Sequence, residues 1–291
     1  MSKLLFLLTQ GGGNVIQTIP TYLALKEHHE IDVVYMPIYP TDSVAKCAVF
    51  PADVEAKTPE EVRNMRKNYD YQINFPSGFL VNNDGSYVRE VLDELNENDS
   101  EVHRNLQVCK FLGVEPKIQK EYRHNEHKER YIVVHNGGLN IPAWNKKKYP
   151  MFKRLVSLMK ELDLPIVSIG APMEYVEGTM DFTGLPLKDT AGLIKNAHLW
   201  VGTDCLTMHL ASLVDTPGVG IFTCTSETKN TDKDFHDKLT TVRNNVACSP
   251  GQWGYHWHPL CGVCGNARGN GFAPCQNVSP QAIMDAIKKK L

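Results

Sequence analysis

Apolar positions along the chain fall into short runs separated by polar, glycine-bearing turns, and these runs alternate with segments of helical period. Leu4 to Leu8 is an uninterrupted apolar run of strand length. Thr9-Gln10-Gly11-Gly12-Gly13-Asn14 follows, then apolar residues at helical spacing from Val15 to Lys26, then a second apolar run, Ile31 to Met36. Strands apolar on both faces belong to buried parallel sheets, and the order strand, glycine turn, helix, strand is a βαβ unit. The pattern predicts a further strand at Tyr71 to Phe75 and helices near Tyr87 to Leu95 and Ser100 to Leu112. The second of these stops at Gly113, with Pro116 just beyond.

Residues 117–130 are polar and charged and read as a linker. Beyond them the rhythm restarts. Strands at Tyr131 to His135, Ile166 to Ile169, Leu199 to Val201 and Gly218 to Phe222 alternate with helices over 151–162, 187–196 and 207–214. Two such series predict an α/β protein of two Rossmann-like, doubly wound domains. The expected division is 1–125, 126–278, and a C-terminal helix over 279–291 that packs back on the first domain. Open α/β sheets bind ligands outside the C-terminal strand ends, so the domains are expected to face a cleft, a nucleotide-type donor on one side and an acceptor on the other.

The length of 291 residues fits two domains with separate cores. Lys plus Arg number 31 against 33 Asp plus Glu, and a net charge of -2 argues against holding nucleic acid through bulk charge. The run at Leu4 is too short for a signal-peptide core or a membrane span, and no later stretch reaches spanning length. The expectation is a soluble cytoplasmic protein whose eight cysteines are reduced thiols or metal ligands rather than a disulfide framework.

The most informative stretch is Phe182-Thr183-Gly184-Leu185-Pro186-Leu187-Lys188-Asp189-Thr190, continuing through Trp200-Val201-Gly202-Thr203-Asp204-Cys205-Leu206-Thr207-Met208-His209-Leu210-Ala211. A strand ends at Val201, a tight turn at Gly202 presents Thr203 and Asp204, and a helix begins near Leu206 or Thr207. The backbone N–H groups of such a helix start suit a diphosphate, and Asp204 would reach sugar or ribose hydroxyls. The plainer alternative is that Asp204 or Thr207 caps the helix.

This run resembles the donor-site signature of glycosyltransferase family 9, the ADP-heptose:lipopolysaccharide heptosyltransferase-like enzymes. Gly13-Asn14-Val15-Ile16-Gln17-Thr18-Ile19-Pro20 is similar to the family's N-terminal turn, which faces the acceptor. Lys147-Lys148-Tyr149-Pro150 resembles its Lys-x-Trp-Pro, and Gly170-Ala171-Pro172-Met173-Glu174 its ribose-contacting turn; Val278-Ser279-Pro280 matches the usual chain end. The resemblance implies a GT-B type fold and transfer of a sugar, with inversion, from a nucleotide-diphosphate donor such as an ADP- or UDP-sugar to an acceptor hydroxyl. It implies donor contacts at Lys147, Glu174, Thr203, Asp204, Cys205, Leu206, Thr207 and His209, and an acceptor side at Gln10, Gly11, Gly12, Gly13 and Asn14. Lys147 and the helix start would neutralise the leaving diphosphate, so no cofactor is required for catalysis. The family's usual acceptor is a glycolipid, lipopolysaccharide inner core, which implies peripheral placement at the inner membrane face.

Two departures matter. The family's aspartate, proposed as the general base, is Asn14 here, and an amide orients an acceptor without accepting its proton. The Ser/Thr-Gly after the donor aspartate is Cys205-Leu206, which narrows the phosphate approach. An acidic acceptor hydroxyl, as on a modified phage-type DNA base, would suit the missing base, and a non-catalytic nucleotide-sugar-binding protein would also retain the donor motif. A nicotinamide-dependent oxidoreductase is disfavoured, because Gly11-Gly12-Gly13 lacks G-x-G-x-x-G spacing.

Cys248, Cys261, Cys264 and Cys275 cluster near the C-terminus, with Cys261 and Cys264 in a CxxC. They form a candidate structural zinc site, with free thiols or a labile disulfide as alternatives. Cys47, Cys109 and Cys224 sit in apolar surroundings and read as core residues. His135, at a strand end before Gly137-Gly138, reads as a core histidine ahead of a cleft residue. His209, one helical turn past Asp204, is expected to steady the donor loop.

Overall fold

Two sheets, one in each half of the chain, take up most of the apolar runs in the computed structural model. The structure describes residues 1–9, 11–38, 42–76, 78–93, 99–120, 129–137, 146–246, 252–253, 256–257 and 273–291. The chain divides into one unit of residues 1–121 with 231–235 and another of 122–230 with 236–291.

In the first unit β1 (Lys3–Leu8) lies between β2 (Glu30–Tyr35) and β4 (Tyr71–Phe75), parallel to both. The short β3 (Glu55–Ala56) extends the sheet beyond β2, and β5 (Phe79–Asn82) adds an antiparallel edge to β4. Leu4, Leu5, Phe6, Leu7 and Leu8 are all buried, as a strand covered on both faces requires. Leu5 and Leu7 pack with Val62 of helix α2 (Pro59–Arg66), whereas the Phe6 ring meets Tyr22 of helix α1 (Gly12–Leu25). Alternation along one strand thus places helices on opposite faces. Each of these buried side chains contributes about 1.5–3 kcal/mol relative to exposure. Helices α3 (Arg89–Asp93) and α4 (Glu101–Phe111) follow; Asn105 of α4 donates its amide to the carbonyl of Gln17 at 3.2 Å, tying α4 to α1. The excursion at 231–235 joins this unit through Asp232, whose carboxylate accepts from the Ser100 hydroxyl at 2.7 Å.

The second unit has the strand order β11-β10-β9-β6-β7-β8, all parallel. Its central strands are β6 (Glu129–His135) and β9 (Ala197–Thr203), flanked by β7 (Ile166–Ser168) with β8 (Met180–Asp181), and by β10 (Gly218–Phe222) with β11 (Leu239–Arg243). Helix α5 (Phe152–Met159) covers one face, where Phe152, Leu155 and Val156 pack on Ile132, Val134, Leu199 and Val201. Helices α6 (Leu187–Asn196) and α7 (Leu206–Leu213) cover the other, where Trp200 and Met208 are fully buried. A short helix α8 (Glu227–Asn230) precedes β11, and Gln252–Trp253 pairs with His256–Trp257 as a small antiparallel ladder.

Three expectations need correction. The helix after the glycine turn starts at Gly12 rather than Val15, so Gly13 and Asn14 lie in its first turn. Of the linker, residues 121–128 lie outside the described residues, and Glu129 and Arg130 already belong to β6. The C-terminal helix α9 (Pro280–Lys288) buries Ile283, Met284 and Ile287 in the core of the second unit, beside α5, and belongs to that unit rather than to a separate segment. Its apolar stripe completes the face that α5 alone leaves uncovered. Among the described residues no helix is long and apolar enough to cross a membrane.

Candidate functional site

In each sheet the chain reverses the direction in which it adds strands. That switch falls between β1 and β4 in the first unit and between β6 and β9 in the second. At such a point the connections leave in opposite directions and open a crevice beyond the C-terminal strand ends. Beyond β9 come Asp204 and Cys205 and then α7; beyond β6 lie Asn136 and Gly137. His135 and Gly202 are partners across this switch, and a Cβ on Gly202 would stand 2.4 Å from the His135 carbonyl oxygen.

Asp204 is 3% exposed. Lys147 Nζ lies 3.0 Å from Asp204 Oδ2, and the Asn230 amide donates to the same oxygen at 3.3 Å. Burial pushes the Asp204 carboxyl up, but the Lys147 charge, His209 and the hydrogen bonds to the carboxylate together outweigh it and hold the group below the usual carboxylate range. His209 stands 3.9 Å from the other carboxylate oxygen, and its Nδ1 shares a 3.0 Å hydrogen bond with Nε2 of His236. Burial lowers His209 to about 4 against the pull of Asp204, with the Lys147 charge adding to the lowering, so the ring is neutral at pH 7.

Lys147 is held by its neighbours in sequence. The Thr223 hydroxyl at the end of β10 donates to the Lys146 carbonyl at 2.6 Å, and Gln276 donates to the Lys148 carbonyl at 2.8 Å. The Asn136 side chain accepts from Tyr149 N at 2.8 Å and donates to Tyr149 O at 3.0 Å. With this backbone pinned, an ammonium 19% exposed remains beside a buried carboxylate at a helix start. That is a fixed positive charge able to meet an anion.

A second cluster lies on the other side of the same turn. Cys205 Sγ is 3.3 Å from His135 Nδ1, and Thr207 Oγ1 is 2.8 Å from that nitrogen and accepts from Trp200 Nε1 at 3.2 Å. His135 Nε2 faces Glu174 Oε2 at 2.9 Å, and the same carboxylate oxygen accepts from Ala171 N at 2.8 Å. Two glycines make the slot for the ring. A Cβ on Gly137 would approach His135 Cε1 to 2.1 Å, and one on Gly170, whose φ is +116°, would approach Nε2 to 2.4 Å.

Asp204, Lys147, His209, Cys205, Thr207 and Glu174 therefore come together at one strand edge, while Leu206, partly exposed, opens α7 there. Thr203 is fully buried, and its hydroxyl donates to the Gly137 carbonyl at 2.8 Å, joining β9 to the turn after β6. Glu174 directs an oxygen to His135 and to its own turn. Neither Asp204 nor Thr207 caps α7: Cys205 occupies the N-cap, and the two side chains turn to Lys147 and to Trp200.

In the first unit Gly11 is the N-cap of α1, Gly12, Gly13 and Asn14 form its first turn, and the Thr9 hydroxyl bridges the switch to the Phe75 carbonyl at 2.5 Å. Gln10 lies outside the described residues. So do Cys248, Cys261 and Cys264; Cys275 is buried against Cys224 and Ala273. Among the described residues no group of His, Cys, Asp and Glu has the arrangement to hold a metal ion.

Sequence reasoning missed Asn230, His236 and Trp200; His135, read as a core histidine ahead of a cleft residue, is buried with both ring nitrogens partnered at the strand edge. The first two approach Asp204 and His209 from α8 and the loop beyond it, more than a helix away in sequence and without motif spacing. The signal for His135 was present in Gly137 and Gly170, glycines whose missing side chains the ring fills.

Residues 110–253 match the family described as glycosyltransferase family 9 (heptosyltransferase). In structure the chain is similar to the ADP-heptose LPS heptosyltransferase II of E. coli, at 14% identity and a TM-score of 0.65, covering 99% of this chain and 98% of that one. A family 9 glycosyl transferase from Veillonella parvula matches at 13% identity and a TM-score of 0.65, with 99% and 97% covered. The dodecameric, iron-containing heptosyltransferase TibC from E. coli, solved with ADP-D-β-D-heptose, matches at 14% identity and a TM-score of 0.68, with 99% and 76% covered. No curated protein matches the chain. The structural likeness establishes the fold: two Rossmann-like units of GT-B type.

Proposed function

We propose, from the premise that this chain is a heptosyltransferase-like glycosyltransferase of family 9 by its residues 110–253, that the β6/β9 edge seats the diphosphate of a nucleotide-sugar donor. The observation that carries the reading is the pair of Lys147 and buried Asp204 at 3.0 Å, set at the start of α7. Asp204 fixes the ammonium, and the ammonium with the helix start faces the diphosphate. The acceptor oxygen attacks the anomeric carbon from the side opposite the diphosphate. The bond from that carbon to the diphosphate oxygen breaks, with inversion, and the nucleoside diphosphate leaves carrying one more negative charge. Lys147 stabilises that charge as it develops.

The acceptor's proton goes to a group other than Asn14, whose amide is not basic at neutral pH. Asn14 orients the acceptor, and Gly11 to Gly13 let it approach the backbone closely. ADP-heptose is the donor we put first, because heptosyltransferases among the similar structures carry it in their descriptions. A glycolipid hydroxyl at the inner membrane face is the acceptor in this reading, and Cys248, Cys261, Cys264 and Cys275 remain a candidate structural zinc site. Transfer and donor hydrolysis measured against ADP-, UDP- and GDP-sugars test the proposal. Turnover of an ADP-sugar that Lys147→Ala abolishes supports it, and binding without turnover of any donor identifies a binding protein instead.

A further inference from the structure

Cys205 has no part in neutralising a diphosphate, yet its surroundings are built as closely as those of Asp204. Its sulfur lies 3.3 Å from His135 Nδ1, and the far nitrogen of that ring lies 2.9 Å from Glu174 Oε2. Nucleophile, base and orienting carboxylate thus stand in sequence, the arrangement that activates a thiol. Ala171 N holds the carboxylate at 2.8 Å, and Gly137 and Gly170 hold the ring in its slot. Among the described cysteines, Cys47, Cys109, Cys224 and Cys275 are buried and Cys205 alone is partly exposed.

The charges around the sulfur favour its ionised form. Burial pushes the thiol up, but the His135 charge and the hydrogen bonds from His135 and Thr207 together outweigh it and draw Cys205 below the ordinary thiol range. Burial likewise works against the His135 charge, and the Cys205 thiolate and the Glu174 carboxylate together overcome it and raise the ring. Cys47 and Cys109, which lack such a partner, are pushed up to about 12. Of the other groups at this edge, Thr207 is neutral, the Asp204 carboxylate is paired with Lys147, and His209 is neutral.

We propose that Cys205, His135 and Glu174 form a nucleophilic thiolate site open to hydroperoxides, and that oxidation there closes the donor seat. The thiolate sulfur attacks the terminal oxygen of the hydroperoxide; the S–O bond forms as the O–O bond breaks. Sulfur is oxidised by two electrons to a sulfenic acid, and the peroxide is reduced to an alkoxide (hydroxide from hydrogen peroxide), which takes the proton from His135. The added oxygen stands at the first turn of α7. Closure of the seat rests on the donor reading above; the reactivity of the thiol does not.

The test alkylates the full chain with iodoacetamide between pH 5 and 9, with and without ADP, and follows the Cys205 peptide by mass spectrometry. The inflection for Cys205 is expected below that of a free cysteine, near about 8.5. His135→Gln should raise the inflection and slow the reaction at pH 6.5 by about tenfold, Glu174→Gln should do so by less, and hydrogen peroxide should leave a dimedone-trappable sulfenic acid on Cys205. An inflection at or above that of free cysteine overturns the proposal, as does a rate indifferent to His135→Gln in a folded variant. Should that variant not fold, the pH profile of the unaltered protein decides. A low inflection with no protection by ADP upholds the thiolate site and refutes the placement of the donor.

Discussion

Both units carry their candidate sites where the strand order reverses, but they furnish the two places in different ways. Beyond β6 and β9 the edge is made of side chains bound to one another: Lys147 to Asp204, His209 to His236, His135 to Glu174. Beyond β1 the edge is made of backbone, three glycines and the amide of Asn14 at the start of α1. The glycines differ as well. Gly137 and Gly170 are filled around by the His135 ring, whereas a Cβ on Gly11 would meet nothing within 4 Å among the described residues. A seat for a charged leaving group needs charges fixed before the reaction, and an approach for an acceptor needs room.

The largest expected effect comes from breaking the pinned charge pair. Asp204→Ala removes the carboxylate beside a largely buried ammonium and should lower stability by about 3 kcal/mol in denaturant titrations. Lys147→Ala leaves the more deeply buried Asp204 carboxylate without that ammonium and should cost comparable stability, and in the molecules that remain folded it should lower kcat by about 10²–10³. Loss of stability with kcat per folded molecule unchanged would show that the pair serves the fold rather than the reaction.

The glycine contrast is the next test. Gly170→Ala forces a side chain into φ +116° and against His135 and should cost about 2 kcal/mol. Gly11→Ala, at φ −75° with no described atom in the way, should cost no more than about 1 kcal/mol, the usual loss of alanine against glycine at a helix N-cap. If Gly11→Ala nonetheless raises the acceptor KM with donor affinity intact, the effect reports acceptor approach.

Asn14→Asp should raise kcat by about tenfold or more, since a carboxylate at that place adds a general base. No change in rate would remove Asn14 from the account of the acceptor side. The smallest expected effect concerns pH. His209 is lowered to about 4 in the fold from 6.5, first by burial, so the unfolded chain binds more protons between those values. Stability should therefore fall as pH drops from 6.5 towards 4, and His209→Gln should flatten that slope in thermal melts.

Much of this was legible in the sequence, because parallel strands declare themselves as apolar runs and βαβ units repeat. Tyr71 to Phe75, 187–196 and Gly218 to Phe222 fall where the pattern put them. Helix α2 was missed, although Thr58 and Glu61 form a capping box with Pro59 at the first turn. Strands β3 and β8 have two exposed residues each and carry no apolar signal. At the site, residues contiguous with the strand–turn–helix of β9 could be named from local pattern. Asn230 and His236 could not, because they reach Asp204 and His209 through the fold and share no spacing with them.

The central claim is that the donor belongs to the β6/β9 edge and not to the glycine turn of the first unit. Calorimetric titration of ADP into the unaltered protein, Lys147→Ala and Asn14→Ala tests it most directly. The account predicts that Lys147→Ala weakens ADP binding by about tenfold or more while Asn14→Ala leaves it within about twofold. Unchanged affinity in Lys147→Ala, or a loss confined to Asn14→Ala, would contradict it.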